Sequence, residues 1–320
     1  MKKVSGLLVF FMCLAPVVRA QIKASHFPSD AQWVLHVDLK ALNEAPMGRF
    51  LKQSLDEQAR RSLASIKAAS GIDLTNDVDS LVVCGKGGAE AGGVMYAYGR
   101  FNIPKLTAIA GGAKEFRNTS FGGRNLLSWS DKGKRTNLCL IDPTLVVMSQ
   151  DERLVRDAVS LVDGKAKGMQ AGQSFAKMLA HRKGRFLSVQ ANNLAALAGT
   201  NQQLQLFKQA EALLLEVGQL GGANGVDCAL TLKAANAESA QQMNQAAMGL
   251  QALFMLQSAQ KPDVAELAQN LKIGMQENYV TLSLRMPEAL LQKLIQNRLE
   301  QPGNGTATAG AEKKPARKAF

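Results

Sequence analysis

The same order of secondary structure is predicted twice along this chain, and that repeat constrains the fold more than any other feature. Residues 33–163 and 185–299 share the order strand, long helix, strand, helix, strand, helix, and the first half carries extra hairpins. Three strand-to-helix junctions also match in sequence: 35–42 with 187–194, 102–106 with 236–240, and 146–154 with 282–290. We therefore predict an α+β fold of two divergent tandem units, with largely antiparallel sheets packed against long helices. The alternative is that an unrepeated α+β chain produces such matches by chance.

Apolar periodicity and turn residues set the expected elements. Strands are predicted at 33–39, 81–84, 94–99, 126–130, 137–141, 145–149, 185–190, 226–233 and 279–285, and helices at 46–70, from about 104, and at 151–162, 201–217, 237–257, 263–272 and 288–299. The resulting organisation is a signal peptide over 1–20, a first α+β unit over 21–163, a polar connector over 164–184, a second α+β unit over 185–299 and a disordered basic tail over 300–320.

The first twenty residues have the layout of a secretory signal peptide. Lys2 and Lys3 precede an apolar run over residues 7–18, and Val18-Arg19-Ala20 is a small-residue cleavage site. The alternative, an uncleaved membrane anchor, is disfavoured because twelve residues interrupted by Pro16 span too little of a bilayer core about 30 Å thick. We expect cleavage after Ala20 and export to the periplasm or the exterior of a bacterium, with no integral membrane span after processing.

Composition excludes several classes of protein. With 46% hydrophobic residues and four cysteines in 320 residues, the chain is neither disordered nor a disulfide-stapled miniprotein. Its formal charge is +12. Aromatic residues are only 5% and are not interleaved with basic runs, so we predict no nucleic-acid partner. The basic tail is either a solubilising end without a partner or an attachment to an anionic envelope surface.

Three segments of the first unit carry a resemblance to known proteins. They are residues 28–39 (PSDAQWVLHVDL), 71–79 (GIDLTNDVD) and 145–159 (LVVMSQDERLVRDAV). In these segments the chain resembles exported bacterial proteins of uncharacterised function with tandem α+β units. The resemblance covers residues 28–163. It implies an α+β fold and export, and it brings no known catalytic residues.

Three cysteines remain after removal of the leader, namely Cys84, Cys139 and Cys228. Each lies in an apolar, strand-like run, and no CxxC pair is present. At most one intramolecular disulfide can form among three cysteines. We interpret them as buried structural thiols, the alternative being a reactive or metal-binding cysteine.

The sequence contains few recognisable catalytic motifs. The three histidines, His26, His36 and His181, are not part of an HExxH motif, and neither a G-x-S-x-G elbow nor a Walker A loop occurs. The S-x-x-K match at Ser174–Lys177 is expected by chance, and the glycine-dense residues 85–93 are interpreted as a flexible hairpin connection.

The best polar pair is His36 and Asp38, two positions apart on a predicted strand, so that both side chains project from one face. No third or fourth metal ligand is identifiable, and a solvent-facing strand surface is the favoured interpretation. We therefore assign no catalytic, cofactor-binding or metal-binding residue, and no cofactor.

These observations favour an exported, non-enzymatic envelope protein that binds or scaffolds an unknown ligand. One alternative is a hydrolytic enzyme whose site residues are dispersed over both units. Another is a carrier of hydrophobic ligands that uses the Met- and Leu-rich helix at residues 243–256.

Overall fold

In the part of the chain that the computed structural model describes, twelve strands form one antiparallel sheet. The structure describes residues 22–87, 92–131, 133–170, 173–179, 183–192, 194, 210–219, 225–257 and 262–300. The predicted signal peptide and the predicted tail beyond residue 300 lie outside these ranges.

The strands are numbered in chain order. They are β1 (Trp33–Asp38), β2 (Val78–Gly85), β3 (Val94–Gly99), β4 (Arg117–Phe121), β5 (Arg124–Asp131), β6 (Lys134–Asp142), β7 (Leu145–Ser149), β8 (Arg185–Asn192), β9 (Ala210–Gly218), β10 (Gly225–Ala234), β11 (Leu271–Gln276) and β12 (Tyr279–Pro287). Across the sheet they follow the order β11-β12-β10-β9-β8-β1-β2-β3-β7-β6-β5-β4. The two predicted units therefore share one sheet, joined where β1 pairs with β8.

The helices lie between these strands. They are α1 (Leu39–Glu44), α2 (Pro46–Gln53), α3 (Glu57–Ser70), α4 (Ile103–Gly111), α5 (Glu152–Val162), α6 (Ser174–Leu179), α7 (Ala237–Gln257), α8 (Pro262–Asn270) and α9 (Glu288–Glu300), with a short 3-10 helix at Ala24–His26. The combination of these helices with an antiparallel sheet confirms the α+β class.

Polar side chains that cap the first turn explain where several helices begin. Asp38, Asp56, Asn102 and Asp151 each accept a hydrogen bond from a backbone N–H two or three residues further on. Such a cap satisfies one of the N–H groups that a helix leaves without an internal partner. Gly71 ends α3 in the left-handed conformation, at φ 68°, as its position in the sequence predicts.

Two predicted helices differ from the structure. The helix predicted over 46–70 is two helices, α2 and α3, because Asp56 adopts an extended conformation and caps a new start. The helix predicted over 201–217 is wrong from residue 210 onward, where β9 pairs with β8 on one side and with β10 on the other. The run Leu213-Leu214-Leu215 suits a helix by propensity, but a strand with partners on both edges overrides that preference. Residues 201–209 lie outside the described part. Strands β4 and β11 were not predicted.

Apolar side chains on both faces of the sheet form the core. On one face, Phe27, the 3-10 helix, α5 and α6 pack over Val34, Tyr96 and Val147. On the other face, α1, α4 and α7 cover the sheet. The alternation is visible at two neighbouring buried residues, since Leu126 belongs to the first core and Leu127 to the second.

Part of the predicted polar connector, residues 164–184, contributes apolar side chains to the core. Met169, Phe175, Met178 and Leu179 are buried in the first core. Gly168 forms a bridge with Pro28 near the start of the described chain. The segment therefore covers the face of the sheet on which His36 lies.

Candidate functional site

His36 is buried in the centre of the sheet, so the predicted solvent-facing surface is wrong. Its side chain is 4% exposed, and its Nε2 lies 2.9 Å from Oγ of Ser80 on β2. The strand is covered on this face because β1 is central and the first core extends across it. The carboxylate of Asp38 accepts a hydrogen bond from the backbone N–H of Ala41 and caps α1.

Further polar groups lie beside His36 on β8 and β9. Ser188 is directly opposite His36 in the β1–β8 pair, is 1% exposed, and has no hydrogen-bond partner for its Oγ within the described ranges. On β9, Glu216 is opposite Ser188, and its Oε1 lies 2.8 Å from Nη1 of buried Arg185. The sheet therefore brings together an imidazole, two hydroxyls and an ion pair that the sequence did not associate.

The chemistry available to this cluster is limited by burial. An imidazole within hydrogen-bonding distance of a serine hydroxyl is the arrangement that activates a nucleophile. Here both members are almost fully enclosed, with Ser80 only 7% exposed. A substrate would reach them only if the side chains packed around them moved apart. The described side chains also include no group of three or more His, Cys, Asp or Glu arranged to hold a metal ion.

The other sequence-identified residues lie apart from this cluster. His26 is half-buried with its Nδ1 3.5 Å from Oη of Tyr98, and burial together with the nearby charge of Lys23 lowers its pKa. Ser174 begins the six-residue helix α6 and is exposed, whereas His181 and the side chain of Lys177 are outside the described part.

The ends of the glycine-dense hairpin are held by Trp33 rather than free. The Trp33 indole donates a hydrogen bond of 3.1 Å to the carbonyl of Gly87. A Cβ added at Gly85 or Gly93 would lie within 2.8 Å of the indole ring, so glycine is required for this contact. The structure thus gives these two glycines a packing role. Residues 88–91 of the predicted flexible connection are not described.

The cysteines are free thiols in apolar surroundings. Cys84 and Cys139 are fully buried and Cys228 is partly buried. Burial raises the pKa of Cys84 to about 12 and that of Cys139 to about 11, and it also raises the pKa of Cys228. These environments support the interpretation of structural thiols.

We expect slow thiol labelling of the native protein. The thiolate is the reactive form, and each unit of raised pKa lowers its fraction about tenfold, so Cys84 and Cys139 should react at least about 100-fold more slowly than in the denatured chain. The measurement is reaction with an aromatic disulfide reagent, followed by peptide mapping, with and without denaturant. Fast native labelling of either residue would identify a reactive cysteine instead.

The C-terminal half of α7 presents an exposed apolar surface. In the first half of the helix, Ala240 and Met243 are buried against Leu232 and Val280 of the sheet. Ala247 is also buried. Beyond Ala247 the large side chains are 45% to 75% exposed. We call the following residues the α7 apolar face: Met248, Leu250, Leu253, Phe254, Met255 and Leu256. The residues predicted to serve a carrier, 243–256, are thus divided between the core and the surface.

The α7 apolar face has a recognisable sequence signal. Glu238 is the only charged residue of α7, and the apolar residues from 248 to 256 surround the helix instead of forming one stripe. A helix that is apolar all round is normally buried. Gln251 holds this half in place, because its Nε2 donates to the carbonyls of Ala268 and Leu271. Among the described helices, none is both long enough and apolar enough to cross a membrane.

Comparisons with known proteins provide little further information. No protein-family model matches the sequence, and no curated protein matches it. The chain is similar to crystal forms I and IV of TP0453, at 12% sequence identity and TM-scores of 0.48 and 0.49. These similarities cover 87% of this chain and 98% or 97% of TP0453. A likeness of this size assigns no function.

Proposed function

We propose that this chain is an exported, non-enzymatic binding protein, and that the α7 apolar face is its docking surface. The observation that carries the proposal is the exposure of six large apolar side chains on one uncharged helix segment. Contiguous apolar surface of this kind is costly in water and marks sites of interaction. Export rests on the signal-peptide layout of the first twenty residues.

The burial of the polar cluster supports a non-enzymatic role. His36 and Ser80, the pair best suited to nucleophilic chemistry, are enclosed by the first core, whereas the α7 apolar face is open to solvent. The α7 apolar face, which a partner can reach, is apolar and uncharged. Binding there gains from removal of apolar area from water and needs no charge on the partner.

We also propose that the two halves of the sheet arose by tandem duplication. From the centre outward, the strand order β1-β2-β3-β7-β6 parallels β8-β9-β10-β12-β11. The sequence match aligns His36 with Ser188, and these two residues face each other across the β1–β8 pair, as expected on an approximate two-fold axis. Asn102 and Asn236 are also matched in sequence, and each accepts a hydrogen bond from a backbone N–H at the start of α4 and α7.

Binding of the apolar fluorescent probe ANS tests the docking surface. We expect the mature chain, in dilute solution, to bind ANS, and Leu253→Glu with Leu256→Glu to reduce the fluorescence enhancement at least about fivefold. The matched control is Leu74→Glu with Ile109→Glu, which changes two exposed apolar residues elsewhere and should retain most of the signal. Equal binding by both double variants would contradict the proposal. Circular dichroism and thermal unfolding check that each variant is folded.

A further inference from the structure

The strand β4 lies at one end of the sheet and has an open edge. It pairs with β5 on one side, and no other strand of the described ranges lies beyond it. Its first four side chains, Arg117–Ser120, are exposed. At the opposite end of the sheet, α7 and α8 pack against β11, and Gln251 of α7 donates a hydrogen bond to the carbonyl of Leu271. An open strand edge is a template on which another extended chain can pair.

The turn between β4 and β5 determines which backbone groups point outward. Gly122 and Gly123 have φ values of 60° and 77°, as both central residues of a type I′ hairpin turn require. The pair that flanks such a turn, Phe121 and its partner on β5, is of the hydrogen-bonded type, and the type alternates along the ladder. The N–H and C=O groups of Asn118 and Ser120 therefore point away from β5. The β4–β5 register continues without a bulge that would disrupt this edge.

The surroundings of β4 are basic. Residues 100–135 contain eight basic and two acidic side chains. Arg100 and Arg124 form ion pairs with carboxylates of other segments. Three more basic side chains form no ion pair within the described part of the chain, namely Lys114, Arg117 and Arg135. Of the two acids, Glu115 is hydrogen-bonded to a serine of β5 and Asp131 is opposite a lysine of β6. This end of the sheet therefore carries uncompensated positive charge.

Two of the unpaired arginines share one face of the sheet. Arg117 is directly opposite Ser128 in the β4–β5 pair, and Nη2 of Arg135 donates a hydrogen bond of 3.3 Å to Oγ of Ser128. Directly opposite side chains in a sheet have Cβ atoms about 5 Å apart. A chain added to β4 would therefore meet Arg117 directly, with the positive charge of Arg135 behind it on the same face.

We infer that β4 is a docking site for an acidic segment of another protein, which adds to the sheet as an extended strand. Hydrogen bonds to the outward backbone groups of Asn118 and Ser120 provide the pairing. A carboxylate beside Arg117 provides selectivity, because a guanidinium binds a carboxylate through two parallel hydrogen bonds. This site is separate from the α7 apolar face and does not depend on the proposed function.

Charge argues against this chain itself as the occupant. The parts of the sequence outside the described ranges contain eleven basic residues and only two acidic ones, Glu90 and Glu312. A second copy has a formal charge of +12 and would bring positive charge to a positive edge. A phosphate polymer would match the charge but has no peptide groups to pair with the strand. An acidic segment of a different protein satisfies both the charge and the open backbone groups.

Fluorescence polarisation with labelled peptides tests the inference. The probe is a peptide of alternating Glu and Val, which places every carboxylate on one side of a strand. One comparison peptide alternates Lys and Val and has the opposite charge. The other repeats Glu-Pro-Pro, which keeps the acidic charge but lacks most backbone N–H groups. We expect the mature chain to bind the Glu-Val peptide saturably and each comparison peptide at least about tenfold more weakly.

Variants of the protein separate the charge from the backbone pairing. Arg117→Glu should weaken binding of the Glu-Val peptide at least about tenfold. Its matched control is Lys272→Glu, which makes the same change of charge on exposed Lys272 of β11, at the opposite end of the sheet, and should leave binding unchanged. Asn118→Pro removes an outward N–H without removing a bond to β5, and it should also weaken binding at least about tenfold. Circular dichroism and thermal unfolding check that each variant is folded.

The results distinguish strand addition from other kinds of binding. Equal affinity for the Glu-Val and Lys-Val peptides, or equal affinity of Arg117→Glu and Lys272→Glu for the Glu-Val peptide, would overturn the acidic partner. Binding of the Glu-Pro-Pro peptide or of inorganic polyphosphate as tightly as the Glu-Val peptide would overturn strand addition and identify a general anion site. Absence of peptide binding would overturn the inference while leaving the α7 apolar face untouched, because the ANS experiment measures that face separately.

Discussion

Replacing Phe27 with alanine should lower the free energy of unfolding by about 3–5 kcal/mol, the cost of removing a fully buried aromatic side chain. Phe27 is 0% exposed, and its ring lies edge-on to that of Tyr96, with centroids 4.8 Å apart. The substitution removes this contact and leaves a cavity under α5, which neighbouring side chains fill only in part. Urea unfolding, followed by circular dichroism, measures the change.

The same substitution at Phe254 is the matched control. This side chain is 46% exposed on α7, so in dilute solution its removal should change the free energy of unfolding by about 0.5 kcal/mol or less. If Phe27→Ala lost as little as is expected for Phe254→Ala, residues 22–31 would not be an integral part of the first core.

Alanine at Gly48 should destabilise the protein by about 3 kcal/mol, whereas alanine at Gly249 should stabilise it by about 0.5–1 kcal/mol. Both glycines lie in helices, so alanine should bring the same favourable conformational contribution to the free energy of unfolding at either position. A Cβ at Gly48 would lie 1.8 Å from the carbonyl oxygen of Leu42, at the tight corner between α1 and α2. A Cβ at Gly249 would have no heavy atom within 4 Å.

The two substitutions should change the free energy of unfolding in opposite directions. Thermal and urea unfolding of both variants give the two free energies directly. If Gly48→Ala were neutral, α2 would be free to move away from α1, and the close approach at residue 48 would not be a requirement of the fold. A loss at Gly249 would mean that the face around it is covered in solution.

The sequence predicted elements with strong local signals and failed where the neighbours of an element decide the outcome. The strand at β1, the helix at α7 and the stop at Gly71 follow from alternation, apolar periodicity and a left-handed glycine. The strand β9 was misread because Leu213-Leu214-Leu215 suits a helix, and only its pairing with β8 and β10 makes it a strand.

Burial within an element was harder to predict than the element itself. Alternation placed His36 on the polar side of β1, but that side lies under the first core because β1 is a central strand. The apolar letters of α7 were visible in the sequence, yet they could not reveal that the large side chains beyond Ala247 are exposed while Ala240 and Met243 are buried. The candidate docking surface depends on that difference, which is set by the neighbours of the helix.

Because β1 pairs with β8, one edge of β1 cannot be paired until late in the synthesis of the chain. β1 is complete at residue 38, but its partner along one edge is not made until residues 185–192. Until then the first half of the chain can form its core, and β1 can pair with β2 along one edge. The other edge of β1 remains open to any other extended segment. Truncated or stalled chains that end before β8 should therefore aggregate through this edge, and a chaperone that shields nascent strands would protect the chain most during that interval.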